Sequence, residues 1–199
     1  MNDARLNIEQ ALGRLALERQ LFHSEADFQH ALAWKIHELY PDVKIRLEVP
    51  SGRSDKSERI DIVINSKDRS YAIELKYKKR KFDRVLDGEK FNLRADVAHD
   101  ISRYDFIKDL VRLERYVSST ENTTGYAILL TNDDLYWRES TRDVKSAAFF
   151  LHEGRTLDSD VTLAWHESTG DGTKRAGPNR SSCAVTTRSI GKIIQELQN

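Results

Sequence analysis

Asp61, Glu74 and Lys76 are the residues whose types and spacing could do chemistry together. They lie in two runs, Arg59-Ile60-Asp61-Ile62-Val63-Ile64 and Tyr71-Ala72-Ile73-Glu74-Leu75-Lys76-Tyr77. Both alternate apolar with polar residues, the period-2 signature of strands. Side chains two apart share a face, so Glu74 and Lys76 point the same way, roughly 7 Å apart along the strand. Asp61 is expected on a face with Val63, opposite Ile60, Ile62 and Ile64. With Lys67-Asp68 as a hairpin tip, paired residue numbers sum to 135 and Asp61 faces Glu74. Directly opposed side chains are about 5 Å apart at their bases. A slip of one residue would put the acids on opposite faces, which the apolar pattern opposes. The turn Asn65–Ser70 lacks the Asn-Gly or Asp-Gly pair that pins a two-residue loop.

Two carboxylates this close repel, and one should take up a proton near neutral pH. A divalent ion reverses the balance. Mg²⁺ takes hard oxygen ligands, keeps several waters and binds through one or two carboxylates plus substrate phosphate. It can polarise a phosphoryl oxygen and lower the pKa of an attacking water. Lys76 could orient or deprotonate that water, or neutralise charge in the transition state. Together these are the parts of a phosphodiester hydrolase.

An Asp on one strand, twelve intervening residues, then Glu74-Leu75-Lys76 on the next resembles the PD-(D/E)XK nuclease superfamily of restriction enzymes, junction resolvases and repair nucleases. Ile60 stands where the name-giving proline would be. The resemblance implies Asp61 and Glu74 as Mg²⁺ ligands, with Mn²⁺ as a substitute. It also implies the Leu75 carbonyl as a further ligand and Lys76 as the catalytic lysine. In that family a Glu on the first core helix points at the metal. Here Ser24-Glu25-Ala26-Asp27 reads as a capping box opening a helix through about Tyr40. Glu25 falls on the stripe of Phe28, Leu32, Ile36 and Leu39, so it is expected to assist the metal directly or through a water. Acids are also favoured in first turns by the helix dipole alone.

The fold class expected is α/β, with an αβββαβ core of restriction endonuclease type: a mixed central sheet flanked by helices. Residues 1–199 are read as one domain: an N-terminal helix to 22, a catalytic core over 23–132 and a C-terminal elaboration over 133–199. Charged residues make up 32 % and balance at 32 basic and 32 acidic, so global charge does not select a partner. Local charge does. Lys76 to Arg84 holds six basic residues in nine, and Lys78, Lys79, Arg80, Lys81 and Arg84 are expected to meet a nucleic-acid backbone, DNA first. A solvated strand end is the ordinary role of such a run. One cysteine, Cys183, excludes an internal disulfide and a thiolate zinc cluster. It suits a reducing cytoplasm, and no run has the length of a membrane span or the apolar core of a signal peptide.

Further elements follow from periodicity. A helix over 4–22 carries Ile8, Leu12, Leu15 and Phe22 and could serve packing or a homodimer. A strand covers Val43–Val49, and the loop after it offers Arg53 and Lys56 to a substrate. Leu86–Leu93 reads as irregular, Asp96–Val117 as a long helix and Tyr126–Thr131 as a central strand. On that helix, Asp100, Arg103 and Asp105 read as surface ion pairs. Beyond it, Ser146–Leu151 is apolar, and Val161–His166 alternates as a strand that Ser182–Thr187 could pair with. Ser168–Ser181 reads as a loop, and Ser189 could cap a last helix. His23, His30 and His37 recur two helical turns apart, about 10 Å, too far for adjacent ones to share a metal. Gly170–Lys174 lacks the spacing of a phosphate-binding loop. The leading expectation is thus a metal-dependent DNA endonuclease. A catalytically inactive nucleic-acid-binding or assembly module is the alternative, and an RNA-directed nuclease would share the site.

Overall fold

Two capped helices open the chain in the structure, a computed structural model describing residues 6–52, 58–139, 144–152, 155–157 and 162–170. Asn7 accepts the Gln10 amide at the start of α1 (Ile8–Glu18), and Ser24 accepts the Asp27 amide at the start of α2 (Glu25–Leu39). Short polar side chains at these positions satisfy amides that have no partner within the helix. The helix expected over 4–22 is shorter than its apolar pattern. Arg19 leaves helical geometry and pairs with both oxygens of Asp27 at 2.9 and 2.8 Å, while Phe22 stays buried outside the helix.

Strands β1 (Lys44–Pro50), β2 (Arg59–Asn65) and β3 (Ser70–Lys78) follow, then a hairpin of β4 (Phe82–Leu86) and β5 (Glu89–Leu93). Helix α3 (His99–Ser118) leads to β6 (Thr123–Thr131). The main sheet is ordered β1-β2-β3-β6, antiparallel up to β3 and parallel between β3 and β6. A parallel neighbour needs a long crossover, and the segment containing α3 supplies it. The register between β2 and β3 runs Ile62↔Ile73, Val63↔Ala72, Ile64↔Tyr71 and Asn65↔Ser70, the one expected from the apolar pattern. Ser66 closes the turn by donating its amide to the Arg69 carbonyl at 2.9 Å.

Odd-numbered β3 residues face one layer and even-numbered residues the other. Tyr71, Ile73, Leu75 and Tyr77 pack with Phe28, Leu32 and Ile36 of α2 and with Leu15 of α1. Ala72 packs with Val63, Ile60 and Leu113 of α3 on the opposite face. Full burial of one such aliphatic or aromatic side chain contributes about 1.5–3 kcal/mol. These two layers place the start of α2 and the middle of α3 against the same stretch of β3.

Several expectations are corrected. Leu86–Leu93 is not irregular: it contains the turn and second strand of the β4–β5 hairpin. Asp87 and Gly88 take φ of 50° and 82°, as a tight two-residue turn requires. Among the described residues β6 lies at the sheet edge rather than its centre. The long helix starts at His99, and Val97 is 81 % exposed instead of joining the stripe. Residues 162–166 form no strand. Leu163 and Trp165 pack against Tyr104 and Phe149, so their alternation reports one-sided burial without pairing. Arg53, Lys56, Cys183, the strand at Ser182–Thr187 and the helix after Ser189 lie outside the described residues, as does the loop over 171–181. No helix among the described residues is long and apolar enough to cross a membrane.

Candidate functional site

The site forms where β2 and β3 separate. Their ladder ends at Ile62↔Ile73, and one further step of the same register sets Asp61 against Glu74. Beyond that point the β3 amides that point toward β2, two residues apart, lack a strand to bond. Carboxylates replace it. Asp61 Oδ2 accepts the Leu75 amide at 2.6 Å, Glu25 Oε2 the Tyr77 amide at 2.7 Å and Asp96 Oδ2 the Lys79 amide at 2.8 Å. Three successive same-edge amides therefore each draw in one acid. Glu25 reaches this edge because Ser24 and Asp27 fix the first turn of α2, where Asp27 also accepts the His23 amide at 2.9 Å.

The even-numbered face carries the charge network. Glu74 is 1 % exposed and accepts both arms of the Arg112 guanidinium, Nε at 2.8 Å and Nη2 at 2.7 Å. Lys76 Nζ lies 2.8 Å from Asp109 Oδ2 and 4.0 Å from Glu25 Oε1, and Arg112 Nη2 lies 2.9 Å from Asp109 Oδ1. Three acids (Glu25, Glu74, Asp109) and two cations thus share one connected cluster, with Asp61 alongside. Burial raises the Asp61 carboxyl from its ordinary 3.8 to about 6. The Leu75 amide opposes that rise, and the Glu25 and Glu48 charges add to it. Burial also raises the Glu74 carboxyl, against the pull of Arg112. Burial lowers the Lys76 ammonium, but the nearby charges of Asp109, Glu25 and Asp61 outweigh it, and the net shift is upward.

The structure brings Glu25, Asp61, Glu74 and Lys76 together, as their spacing suggested, with Leu75 between the two β3 side chains. Asp109 and Arg112 are the members that sequence reasoning missed. A signal was available: Asp109 stands three after Phe106 and four before Leu113, both buried, so it shares the inward stripe of α3. Arg103 is not half of a surface ion pair. It is buried, donates Nη2 to the Leu135 carbonyl at 2.6 Å, and lies over the Tyr136 and Phe150 rings.

The basic run divides in two. Lys79 pairs with Asp96 at 3.1 Å, and Arg80 with Asp134 at 3.0 Å. Lys81 and Arg84 are exposed, Lys78 is half-buried, and these three form no ion pair among the described residues. The histidines serve separate local contacts: His23 stacks on Phe91 and meets Glu89 Oε1 at 2.8 Å, while His30 contacts the Ala26 carbonyl at 2.6 Å.

The donor set fits Mg²⁺ by its chemistry. Hard carboxylate oxygens dominate it, and burial makes the ionised Asp61 carboxylate costly, a cost that a bound cation would offset. Each Glu74 oxygen keeps a lone pair beyond the one given to Arg112. Among the described residues no three His, Cys, Asp or Glu side chains already converge as a metal cage, and Mg²⁺ typically asks for only one or two carboxylates. No family model, curated protein or solved structure matches this chain.

Proposed function

We propose that the chain is a Mg²⁺-dependent phosphodiesterase acting on DNA, an endonuclease of restriction-like, PD-(D/E)XK type. One observation carries this reading: the β2–β3 opening gathers Asp61, Glu74, Lys76 and Glu25 at one point. Topology supports it. Helix, three antiparallel strands, helix and a parallel fourth strand follow the αβββαβ order, with the β4–β5 hairpin inserted before α3.

Asp61 and Glu74 would hold the metal with the Leu75 carbonyl, and Glu25 would assist directly or through a water. When bound, Mg²⁺ supplies polarisation of a phosphoryl oxygen and a more acidic attacking water. Lys76 stays protonated beside Asp109, so it orients the water and offsets charge on the phosphoryl oxygens instead of removing a proton. Arg112 fixes the Glu74 carboxylate, and Asp109 fixes both cations. Lys78, Lys81 and Arg84 continue from β3 into β4 and can follow a phosphate backbone. Lys79 and Arg80 would first exchange their acidic partners. Plasmid nicking with Mg²⁺ tests the assignment: Asp61→Ala and Lys76→Ala are expected to abolish it. Metal-dependent cutting that survives both substitutions would exclude this site as its source.

A second reading rests on Arg112. Its guanidinium already supplies positive charge to both Glu74 oxygens, which would suit a nucleic-acid-binding or assembly module without catalysis. Calorimetric titration with Mn²⁺ separates the two. No binding at millimolar metal, with DNA affinity retained, favours this second reading.

A further inference from the structure

Both ladders of β2 lapse at Asp61. Between β1 and β2 the register includes Leu47↔Ile62 and Val49↔Ile60 but skips Glu48 against Asp61, and toward β3 it stops at Ile62↔Ile73. Glu48 has φ of 53°, a left-handed backbone that a residue other than glycine adopts only at a cost. Such a residue inside a strand turns its peptide groups out of the ladder direction. At this step the Glu48 carbonyl accepts Arg59 Nη1 at 3.0 Å, and the Asp61 carbonyl accepts Gln29 Nε2 at 2.8 Å. The same amide gives its other hydrogen to Glu48 Oε1, also at 2.8 Å. Gln29 is buried and lies one turn after Glu25, on the same side of α2. Side-chain alternation breaks here too: Ile62 and Ile64 pack with α1 and α2, whereas Ile60 joins Val63 and Leu113 on the face of α3.

We propose that Glu48 and Gln29 are positioning residues for Asp61. Left-handed Glu48 interrupts the ladder at the Glu48–Asp61 step, and the Gln29 amide, donating to both the Asp61 carbonyl and Glu48 Oε1, ties the two together. The Asp61 side chain is then set so that Oδ2 takes the Leu75 amide and Oδ1 is left for a cation. The metal part of this proposal rests on the nuclease reading; the positioning of Asp61 stands without it. Strain kept at a non-glycine residue beside a functional group is a known pattern, and here it has an identified effect.

The test uses the full chain and three variants. Gln29→Leu removes the bridging amide, Glu48→Gly removes the acceptor while accommodating the left-handed backbone, and Glu48→Gln keeps an acceptor without the charge. Leu75 amide hydrogen exchange, read by NMR in metal-free buffer, is expected to quicken at least tenfold in Gln29→Leu and Glu48→Gly. The Ile73 amide should be unchanged, and Glu48→Gln should stay within about threefold of wild type. Mn²⁺ affinity by calorimetry is expected to fall about tenfold in the first two variants, with the Glu48→Gly melting temperature equal to or above wild type. Wild-type Leu75 protection in Gln29→Leu and Glu48→Gly overturns the proposal. So does a Glu48→Gly chain that loses metal affinity only in step with its melting temperature. If the wild type binds no Mn²⁺ but Leu75 responds as described, the positioning role stands and the nuclease reading falls.

Discussion

Replacing Asp61 by Asn should stabilise the metal-free protein at pH 8 and leave it unchanged at pH 4. Burial raises the Asp61 carboxyl from 3.8 to about 6. A raised carboxyl favours folding while protonated, so its contribution is complete below pH 3.8 and is lost as pH rises through about 6. The rise is about two units at about 1.4 kcal/mol each, which puts the cost of ionised Asp61 at about 3 kcal/mol above pH 7. Asparagine is nearly isosteric, its Oδ1 can still accept the Leu75 amide, and it carries no charge to desolvate. A chain of this size gains about 2–4 °C in melting temperature per kcal/mol, so about 6–12 °C is expected. Thermal unfolding from pH 4 to 8 in EDTA reads this directly. Mg²⁺ should cancel nearly all of that gain at a hundred times its Kd, where it adds about 2.7 kcal/mol to the chain that binds it, and reverse the order at a thousand times its Kd, where it adds about 4.1 kcal/mol. The reasoning is refuted if Asp61→Asn gains nothing at pH 8, or if its gain does not shrink toward pH 4.

Arg112→Leu leaves buried Glu74 without a counter-charge and should cost about 3–5 kcal/mol in urea unfolding, most of it recovered in the Arg112→Leu/Glu74→Leu double variant. Lys76→Ala should slow plasmid nicking at least about a hundredfold. Mn²⁺ affinity should be kept or tightened in the same variant, because a cation near the metal is removed. Ala98 precedes α3 with φ of 64° and no side-chain cap bond, so Ala98→Gly should relieve about 1 kcal/mol of left-handed strain. That gain should raise the melting temperature without altering metal affinity.

What could be read from the sequence were the parts set by local period. Alternation over 59–64 and 71–77 placed two strands. With the turn between them it also fixed the register, because any slip would have buried Arg59 or Lys76 in place of isoleucine. Ser24 and Asp27 marked the start of α2, and so the place of Glu25. The β4–β5 hairpin was missed although Asp87-Gly88 signals it, because its strands are short and mostly exposed. Asp109 stands on the inward stripe of α3, but nothing local says that Arg112, three residues on, and Glu74, far back in the chain, complete its network.

The break at Asp61 is the least legible feature and the one on which the site depends. A regular ladder through Asp61↔Glu74 would occupy the Leu75 amide with a main-chain carbonyl and deprive the Asp61 carboxylate of that donor. Opening the strands one step earlier gives the Leu75 amide to Asp61 and the Tyr77 amide to Glu25, while Glu74 keeps the Arg112 guanidinium. Glycine at position 48 would have advertised the kink and held it at less cost, but would have forgone the acceptor that fixes Gln29. Glutamate there trades backbone ease for a side-chain contact, and that choice makes sense only if Asp61 must be held still.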